Sequence, residues 1–134
     1  MQYATSRRRI LQLTAAYGLC CATPAFAKRQ QINIFFDYES IDMSESAVAL
    51  ADRLSHEILP SDRVTIVGNA DTAEASPERI SYARGNEVLK YFLRKRSLVK
   101  VRFNVVANGI TTPLVKTGPN VREPKNRRVE VIIT

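Results

Sequence analysis

Residues 64–84 restrict the fold of this chain more than any other stretch of the sequence. They open with the apolar run Val64–Val67, which has the composition of a buried strand. A short polar loop follows. Ser76-Pro77-Glu78 then combines a capping serine, a proline at the first helical position and an early acid, which together predict a helix start. A strand, a loop and a helix in this order predict a fold assembled from β–α units.

The predicted helix carries a charge on its apolar side. That side consists of residues at helical spacing: Ile80, Ala83, Val88 and Phe92. Arg84 lies in the same sector, four residues after Ile80 and four before Val88. A cation so near a core needs an anionic partner, because an unpaired buried charge is strongly destabilising. Asp71, at the end of the preceding strand, is the candidate: the two side chains either neutralise each other or flank a pocket whose ligand carries both signs.

The rest of the chain continues the alternation of strands and helices. The predicted elements are a strand at 31–38, a helix that ends before Pro60, the helix after Pro77 continuing to about Arg96, and strands at 101–107 and 128–134. Asp42 and Glu45 have the spacing of a capping box, which predicts Asp42 as the cap of the first helix. Residues 108–126 read as a long loop with a short helical turn. The predicted fold is α+β, a two-layer βαβαβ-loop-β sandwich with two helices on one face of a mixed four-stranded sheet.

Residues 1–27 read as a signal peptide rather than as part of the domain. A basic start at Arg7–Arg9 precedes the mostly apolar run Ile10–Cys21, and Ala25-Phe26-Ala27 has the small-x-small pattern of a signal-peptidase site. Ser6–Leu11 also resembles the twin-arginine export signal. We therefore predict a leader at 1–27, a domain at 28–134, and no membrane span once the leader is cleaved.

Composition excludes several kinds of chemistry from the predicted domain. Cys20 and Cys21 both fall in the leader, so residues 28–134 contain no cysteine for a disulfide or a zinc–thiolate site. The formal net charge of +7 includes three leader arginines, which leaves a mild +4 on residues 28–134. His56 is the only histidine, lies among polar residues and reads as a surface residue. We expect no catalytic residues, no metal and no cofactor, and hence no enzyme.

Three segments carry a resemblance to a known family. The first segment, Ile34-Phe35-Phe36-Asp37-Tyr38, is similar to the family's opening strand and acidic turn. The second combines Gly68-Asn69-Ala70-Asp71 with Ile80–Arg84 and is similar to the family's Gly-His-Thr-Asp motif and Leu-Ser-x-x-Arg helix start. The third, Asn126–Glu130, is similar to the family's closing Asn-Arg-Arg-Val-Glu. Together they resemble the C-terminal domain family of OmpA, shared by peptidoglycan-associated lipoproteins and flagellar stator proteins. The resemblance covers residues 31–134.

The resemblance implies a ligand and a site. The family binds peptidoglycan non-covalently through the diaminopimelate of the stem peptide, and its Asp and helical Arg correspond here to Asp71 and Arg84. One carboxylate and one guanidinium suit the ammonium and carboxylate of that amino acid, because the planar fork of arginine pairs with a carboxylate through two bonds. Asp37 and Arg127 resemble further family positions that line the same cleft, and Asn69 and the Thr72 hydroxyl are additional candidates beside Asp71. The resemblance also implies a periplasmic location, at the outer membrane or the cell wall.

Departures from the family pattern keep another function open. Asn69 and Ala70 replace the usual His and Thr, and the loop between Asp71 and Arg84 is shorter than in many members. They favour the alternative of a non-binding accessory or scaffold subunit of an envelope assembly, such as a secretion, conjugation or pilus system, with a protein partner. A nucleic-acid binder would need exposed aromatics at the centre of the strands, and we expect no such partner. Arg127 and Arg128 alternate across the last strand, which predicts that one of them is solvated.

Overall fold

The computed structural model describes residues 30–134. The predicted signal peptide, its twin-arginine pattern and its cleavage site lie outside these described residues. The regular elements, in chain order, are β1 (Gln30–Phe35), α1 (Glu45–Glu57), β2 (Arg63–Gly68), α2 (Pro77–Leu93), β3 (Arg102–Ala107) and β4 (Arg128–Ile133). Single 3₁₀ turns at Arg96–Leu98 and Pro124–Asn126 interrupt the connections on either side of β3, the second within the loop that the sequence predicts.

The four strands form one mixed sheet in the order β1-β4-β2-β3. β4 lies between β1 and β2 and is antiparallel to both, whereas β2 and β3 are parallel neighbours joined by α2. The register pairs Ile34 with Val129 and Ile66 with Val131, so alternate residues of adjacent strands share one face. This architecture confirms the predicted fold class.

Both helices cover that face and bury one core. The buried side chains of the core come from every regular element except β3 and include Ile34, Ala51, Leu54, Val64, Ile66, Val88, Phe92, Val129 and Val131. Phe103 and Val105 of β3 pack against them while partly exposed. Within residues 30–134, the two helices are too short or too polar to span a bilayer.

Two glycines let α2 approach the sheet closely. A Cβ at Gly68 would lie 1.8 Å from the backbone oxygen of Ser81, so any side chain there would push α2 away from the end of β2. A Cβ at Gly85 would lie 3.0 Å from Cγ1 of Val105. The low helix propensity of Gly85 is therefore offset by contact between α2 and β3. This close packing holds Arg84 against the loops beyond β2.

Three predicted boundaries are wrong, each for a local reason. Ser44 caps α1 instead of Asp42, because the helix begins at Glu45 and the Ser44 hydroxyl accepts a hydrogen bond from the Ala47 amide at 3.2 Å. β1 ends at Phe35, before a turn in which the Ser40 amide donates to the Asp37 carbonyl. α2 ends at Leu93 rather than near Arg96, since the chain turns there to bury Leu98 in the core.

Candidate functional site

The predicted site residues lie beyond the carboxyl ends of β2 and β3, where three loops meet. After β2, backbone bonds from Asn69 to Arg128 and from Ala70 to Gly109, each 2.8 Å long, carry the chain on in extended form. They place Asp71 at the start of the 71–76 loop, where the 108–126 loop covers it. Asp71 and Arg84 are both fully buried, as the sequence predicts for Arg84. The charges of the site are therefore withdrawn from water.

Arg84 is neutralised by Glu74, a residue that the sequence analysis did not single out. Both terminal nitrogens of the guanidinium donate to the Glu74 carboxylate: Nη1 to Oε2 at 2.8 Å and Nη2 to Oε1. The remaining N–H groups donate to three backbone carbonyls, those of Asp37, Ser40 and Asn69. The Phe36 ring lies 5.5 Å from Cζ. All five N–H donors of Arg84 have partners inside the protein, so the buried charge is fully satisfied.

Asp71 is neutralised by Arg127. Oδ2 accepts from Nη1 of Arg127 at 2.9 Å and from the Glu123 amide at 3.0 Å. Oδ1 accepts from the amides of Ala73 and Glu74, both at 3.1 Å. Four donors therefore surround the Asp71 carboxylate.

Of the two interpretations that the sequence left open, the one in which Asp71 and Arg84 neutralise each other is therefore wrong. Each has another partner of opposite charge, and the two pairs are joined through the loop: the Asp71 amide donates to Oε2 of Glu74 at 3.1 Å while the Glu74 amide donates to Asp71. This is the reciprocal bonding of a capping box, and the spacing Asp71-x-x-Glu74 is the sequence signal that could have identified Glu74. Two acids and two arginines thus form one compensated cluster.

The other predicted site residues have varied environments. The Asn69 side chain is buried and bonds to the Thr112 hydroxyl and the Val67 carbonyl. The Thr72 hydroxyl donates to the Gly118 carbonyl at 2.8 Å and accepts from the Val121 amide at 3.0 Å, which ties the 71–76 loop to the long loop. The Asp37 side chain is exposed. Asn69 and Thr72 therefore hold the loops in place, and Asp37 is accessible to solvent.

The prediction that one of the two adjacent arginines is solvated is also wrong. Arg127 and Arg128 are 8% and 3% exposed. Arg127 turns to Asp71 and also donates to the Phe36 carbonyl at 3.2 Å. Arg128 pairs with Glu130 and donates to the Thr112 carbonyl at 3.1 Å. The long loop covers what would otherwise be an exposed strand end.

Three hydrogen bonds join the turn after β1 to the 71–76 loop, and we call this set of bonds the clasp. Tyr38 donates through its hydroxyl to the Ala73 carbonyl at 2.9 Å, the Glu39 amide donates to Oε1 of Glu74 at 3.1 Å, and the Ala75 amide donates to the Glu39 carboxylate at 2.6 Å. Glu39 has φ of 51°, a left-handed conformation that is unfavourable for a residue with a side chain. The clasp holds this strained residue with its amide directed at Glu74.

Two surface clefts flank the cluster. The β1–α1 cleft, about 520 Å³, lies between β1, the start of α1 and residues 124–127, and is lined by Asp37, Lys125 and Arg127 among others. The loop–α2 cleft, about 400 Å³, is lined by Glu39, Ile41, Ala75, Ser76, Arg79, Ile80 and Ala83. The first cleft includes Arg127 of one ion pair, whereas the second is lined by chain neighbours of Glu74 and Arg84 and not by these two residues themselves.

Another charged cluster lies between α1 and the C-terminal end of α2. The ammonium of Lys95 and the hydroxyl of Tyr91 both bond to Oδ1 of Asp52. The Lys95 bond, followed by the Tyr91 bond, lowers the pKa of Asp52, and Asp52 in turn raises the pKa of Lys95. His56 is 77% exposed, which confirms the predicted surface position. Among residues 30–134, no group of three or more His, Cys, Asp or Glu side chains could hold a metal ion.

Solved structures with this fold include the following three proteins. The peptidoglycan-associated lipoprotein from Burkholderia pseudomallei matches with a TM-score of 0.64 and 20% identity, over 76% of this chain and 89% of that one. The C-terminal domain of Helicobacter pylori MotB matches with a TM-score of 0.63 and 18% identity, over 77% of this chain and 84% of that one. The cell wall anchor of the T6SS from Pseudomonas aeruginosa matches with a TM-score of 0.64 and 21% identity, over 78% of this chain and 80% of that one. The chain thus has the OmpA C-terminal-like fold.

Two curated proteins are similar in sequence, and no protein-family model matches the chain. An outer membrane protein of Gluconacetobacter diazotrophicus is 33% identical over 115 residues, 75% of this chain. The uncharacterized protein YtxE of Bacillus subtilis is 32% identical over 95 residues, 62% of this chain. The matches span only 29% and 39% of those two proteins. The similarity is therefore to one part of each relative.

Proposed function

We propose that this protein is a non-catalytic domain of the cell envelope that binds peptidoglycan non-covalently and anchors an envelope component to the cell wall. Two of its structural neighbours are named for that role, as a peptidoglycan-associated lipoprotein and a cell wall anchor. The sequence relative named as an outer membrane protein supports an envelope location. The domain would act in the periplasm, after export by the predicted leader.

The ligand we propose is the diaminopimelate of the stem peptide, held at Arg84 and Asp71. The observation that carries this proposal is the cradle of four convergent donors around one carboxylate position: Nη1 and Nη2 of Arg84 and the amides of Glu39 and Asp71. A free carboxylate offers two oxygens with about four lone-pair sites, which such a cradle matches. Asp71, which pairs with Arg127 in the free domain, would supply the negative charge that the ammonium requires once the ligand displaces that pairing.

Sedimentation with purified sacculi tests this proposal. We expect the purified protein to pellet with sacculi, and Arg84→Lys to pellet at least about 10-fold less, because lysine keeps the charge but loses the bidentate fork. Glu87→Ala is the matched control, since Glu87 pairs with Lys90 on the exposed side of α2. Circular dichroism of each variant identifies loss of folding. A parent protein that remains in the supernatant, or an Arg84→Lys variant that folds and pellets as well as the parent, would refute the proposed site.

A second function is favoured by one specific observation. Asp71 and Arg84 already have full sets of internal partners, as expected of a structural cluster in a scaffold subunit that binds no wall ligand. In that case the domain would dock onto a protein of an envelope assembly. Co-purification of such a partner, together with no pelleting on sacculi, would favour the scaffold over the wall anchor.

A further inference from the structure

Glu74 occupies the position that a ligand carboxylate would need. Its two oxygens take the four donors of the cradle, two from Arg84 and one each from the amides of Glu39 and Asp71. Glu74 is 3% exposed, although it belongs to a loop whose next two residues, Ala75 and Ser76, are exposed. The Glu74 carboxylate is thus directed inward, towards Arg84, while the two residues that follow it face the solvent.

Two features accompany the Arg84–Glu74 ion pair: a strained residue that donates to Glu74 and a cleft beside the loop that carries it. Glu39 is held in a left-handed conformation, φ 51°, and its amide points at the Glu74 carboxylate. Strained backbone of this kind persists where the surrounding structure requires a particular direction of a polar group. The loop–α2 cleft, about 400 Å³, is lined by Glu39 and Ala75, whose backbones flank Glu74. Glu74 and Arg84 are themselves buried, so a ligand carboxylate in this cleft reaches Arg84 only after Glu74 has moved.

We propose that Glu74 is an internal competitor for the ligand carboxylate. In the free domain Glu74 accepts from the four donors around Arg84. When the wall ligand arrives, its carboxylate accepts from the same four donors, and residues 74–76 move so that the Glu74 side chain enters the solvent while the Asp71 amide stays in place. This inference rests on the proposed function and states which ligands the site would accept. The ligand must carry a carboxylate that displaces the Glu74 carboxylate from Arg84. The exposed Arg79, which lines the same cleft, provides a first contact for that anion.

The competition sets the apparent affinity. When the binding-competent state is only fractionally populated, the apparent Kd rises by the inverse of that fraction, so a domain with Glu74 bound in about 99% of molecules binds about 100-fold more weakly than an open one. Removing the carboxylate at position 74 is therefore expected to tighten binding, whereas removal of an ordinary structural partner would weaken or abolish it.

Two variants test this inference. Glu74→Ala leaves a carboxylate-sized space beside Arg84, and Glu74→Gln keeps the side-chain volume but removes the charge. We expect sodium formate to raise the Tm of Glu74→Ala above its value in sodium chloride at equal ionic strength. Wild type, Glu74→Gln and Glu87→Ala should show no such difference. We also expect both Glu74 variants to bind meso-diaminopimelate, measured by calorimetry, at least about 10-fold more tightly than wild type.

The outcomes separate this inference from the proposed function. Wild type that pellets with sacculi while neither Glu74 variant binds more tightly would overturn the competition and leave wall binding intact. Formate rescue without binding of sacculi or diaminopimelate by any variant would overturn the wall ligand and support a carboxylate site for another molecule. Absence of rescue in a folded Glu74→Ala would show that the cradle is inaccessible. If Glu74→Ala folds only with formate, the rescue itself supports the cradle, and Glu74→Gln carries the binding measurement.

Discussion

Replacing Glu74 by alanine is expected to destabilise the free domain far more than removing an exposed acid. The substitution leaves the guanidinium of Arg84, which is fully buried, without its counter-ion. Breaking a buried ion pair by deleting one partner costs about 3–5 kcal/mol, whereas deleting one partner of an exposed pair costs about 0–1 kcal/mol. The amides of Glu39 and Asp71 also lose their acceptor. We therefore expect a loss of about 3–5 kcal/mol, at the upper end if water does not enter.

Urea denaturation followed by circular dichroism measures this loss. For a domain of this size, each kcal/mol lowers Tm by roughly 4–8 °C, so a fall of more than about 12 °C is expected in parallel. Glu87→Ala, which breaks the exposed pair with Lys90, is the control and should change stability by less than about 1 kcal/mol.

A double variant separates the charge from the lost packing. Arg84→Met in the Glu74→Ala background removes the uncompensated cation with an apolar side chain of similar length, and we expect it to recover part of the lost stability. A folded Glu74→Ala that loses less than about 1 kcal/mol would refute the reasoning, because it would mean that Arg84 is solvated rather than buried.

Three further predictions follow from the fold. Gly68→Ala should lower the free energy of unfolding by at least about 2 kcal/mol, since its Cβ would overlap the backbone of α2, whereas Gly118→Ala, which would meet no atom within 4 Å, should change it little; urea denaturation measures both. Ser44→Ala should cost about 1 kcal/mol in the same assay, the usual effect of losing an N-cap hydroxyl; an unchanged midpoint would place the cap elsewhere. The Asp52–Lys95 bond stabilises the fold at pH values above the pKa that Asp52 has in the unfolded chain and below the pKa that Lys95 has there. It is lost as pH falls through the lowered pKa of the acid or rises through the raised pKa of the base, so Lys95→Met should raise the NMR-measured pKa of Asp52 towards 3.8.

The fold was predictable because its elements are encoded locally. The apolar side predicted for the second helix places Val88 and Phe92 in the core, where the structure also has them. The burial of Arg84 was also predictable, since its position among Ile80 and Val88 leaves it facing the sheet.

The pairing within the site was not predictable from periodicity. Arg84 takes Glu74 rather than Asp71, and this choice depends on how the 71–76 loop folds back through bonds between side chains and backbone amides. Arg127 pairs with Asp71, 56 residues away along the chain, and Arg128 is buried as well, although their adjacency predicted that one of the two is solvated. Such pairings are decided by tertiary contacts between loops, where no helical or strand period constrains the side chains.

Titration of the isotopically labelled protein with meso-diaminopimelate, followed by two-dimensional ¹H–¹⁵N NMR, tests most directly whether the ligand carboxylate replaces the Glu74 carboxylate at Arg84. The reporters are the backbone amides of Glu39 and Asp71, which both donate to the Glu74 carboxylate in the free domain. We predict that these two resonances and the Nε–H of Arg84 shift together and saturate, and that the amides of Ala75 and Ser76 change as the loop moves. Resonances of Glu39, Asp71 and Arg84 that stay fixed while the protein pellets with sacculi would contradict the account and place the wall contact elsewhere on the domain.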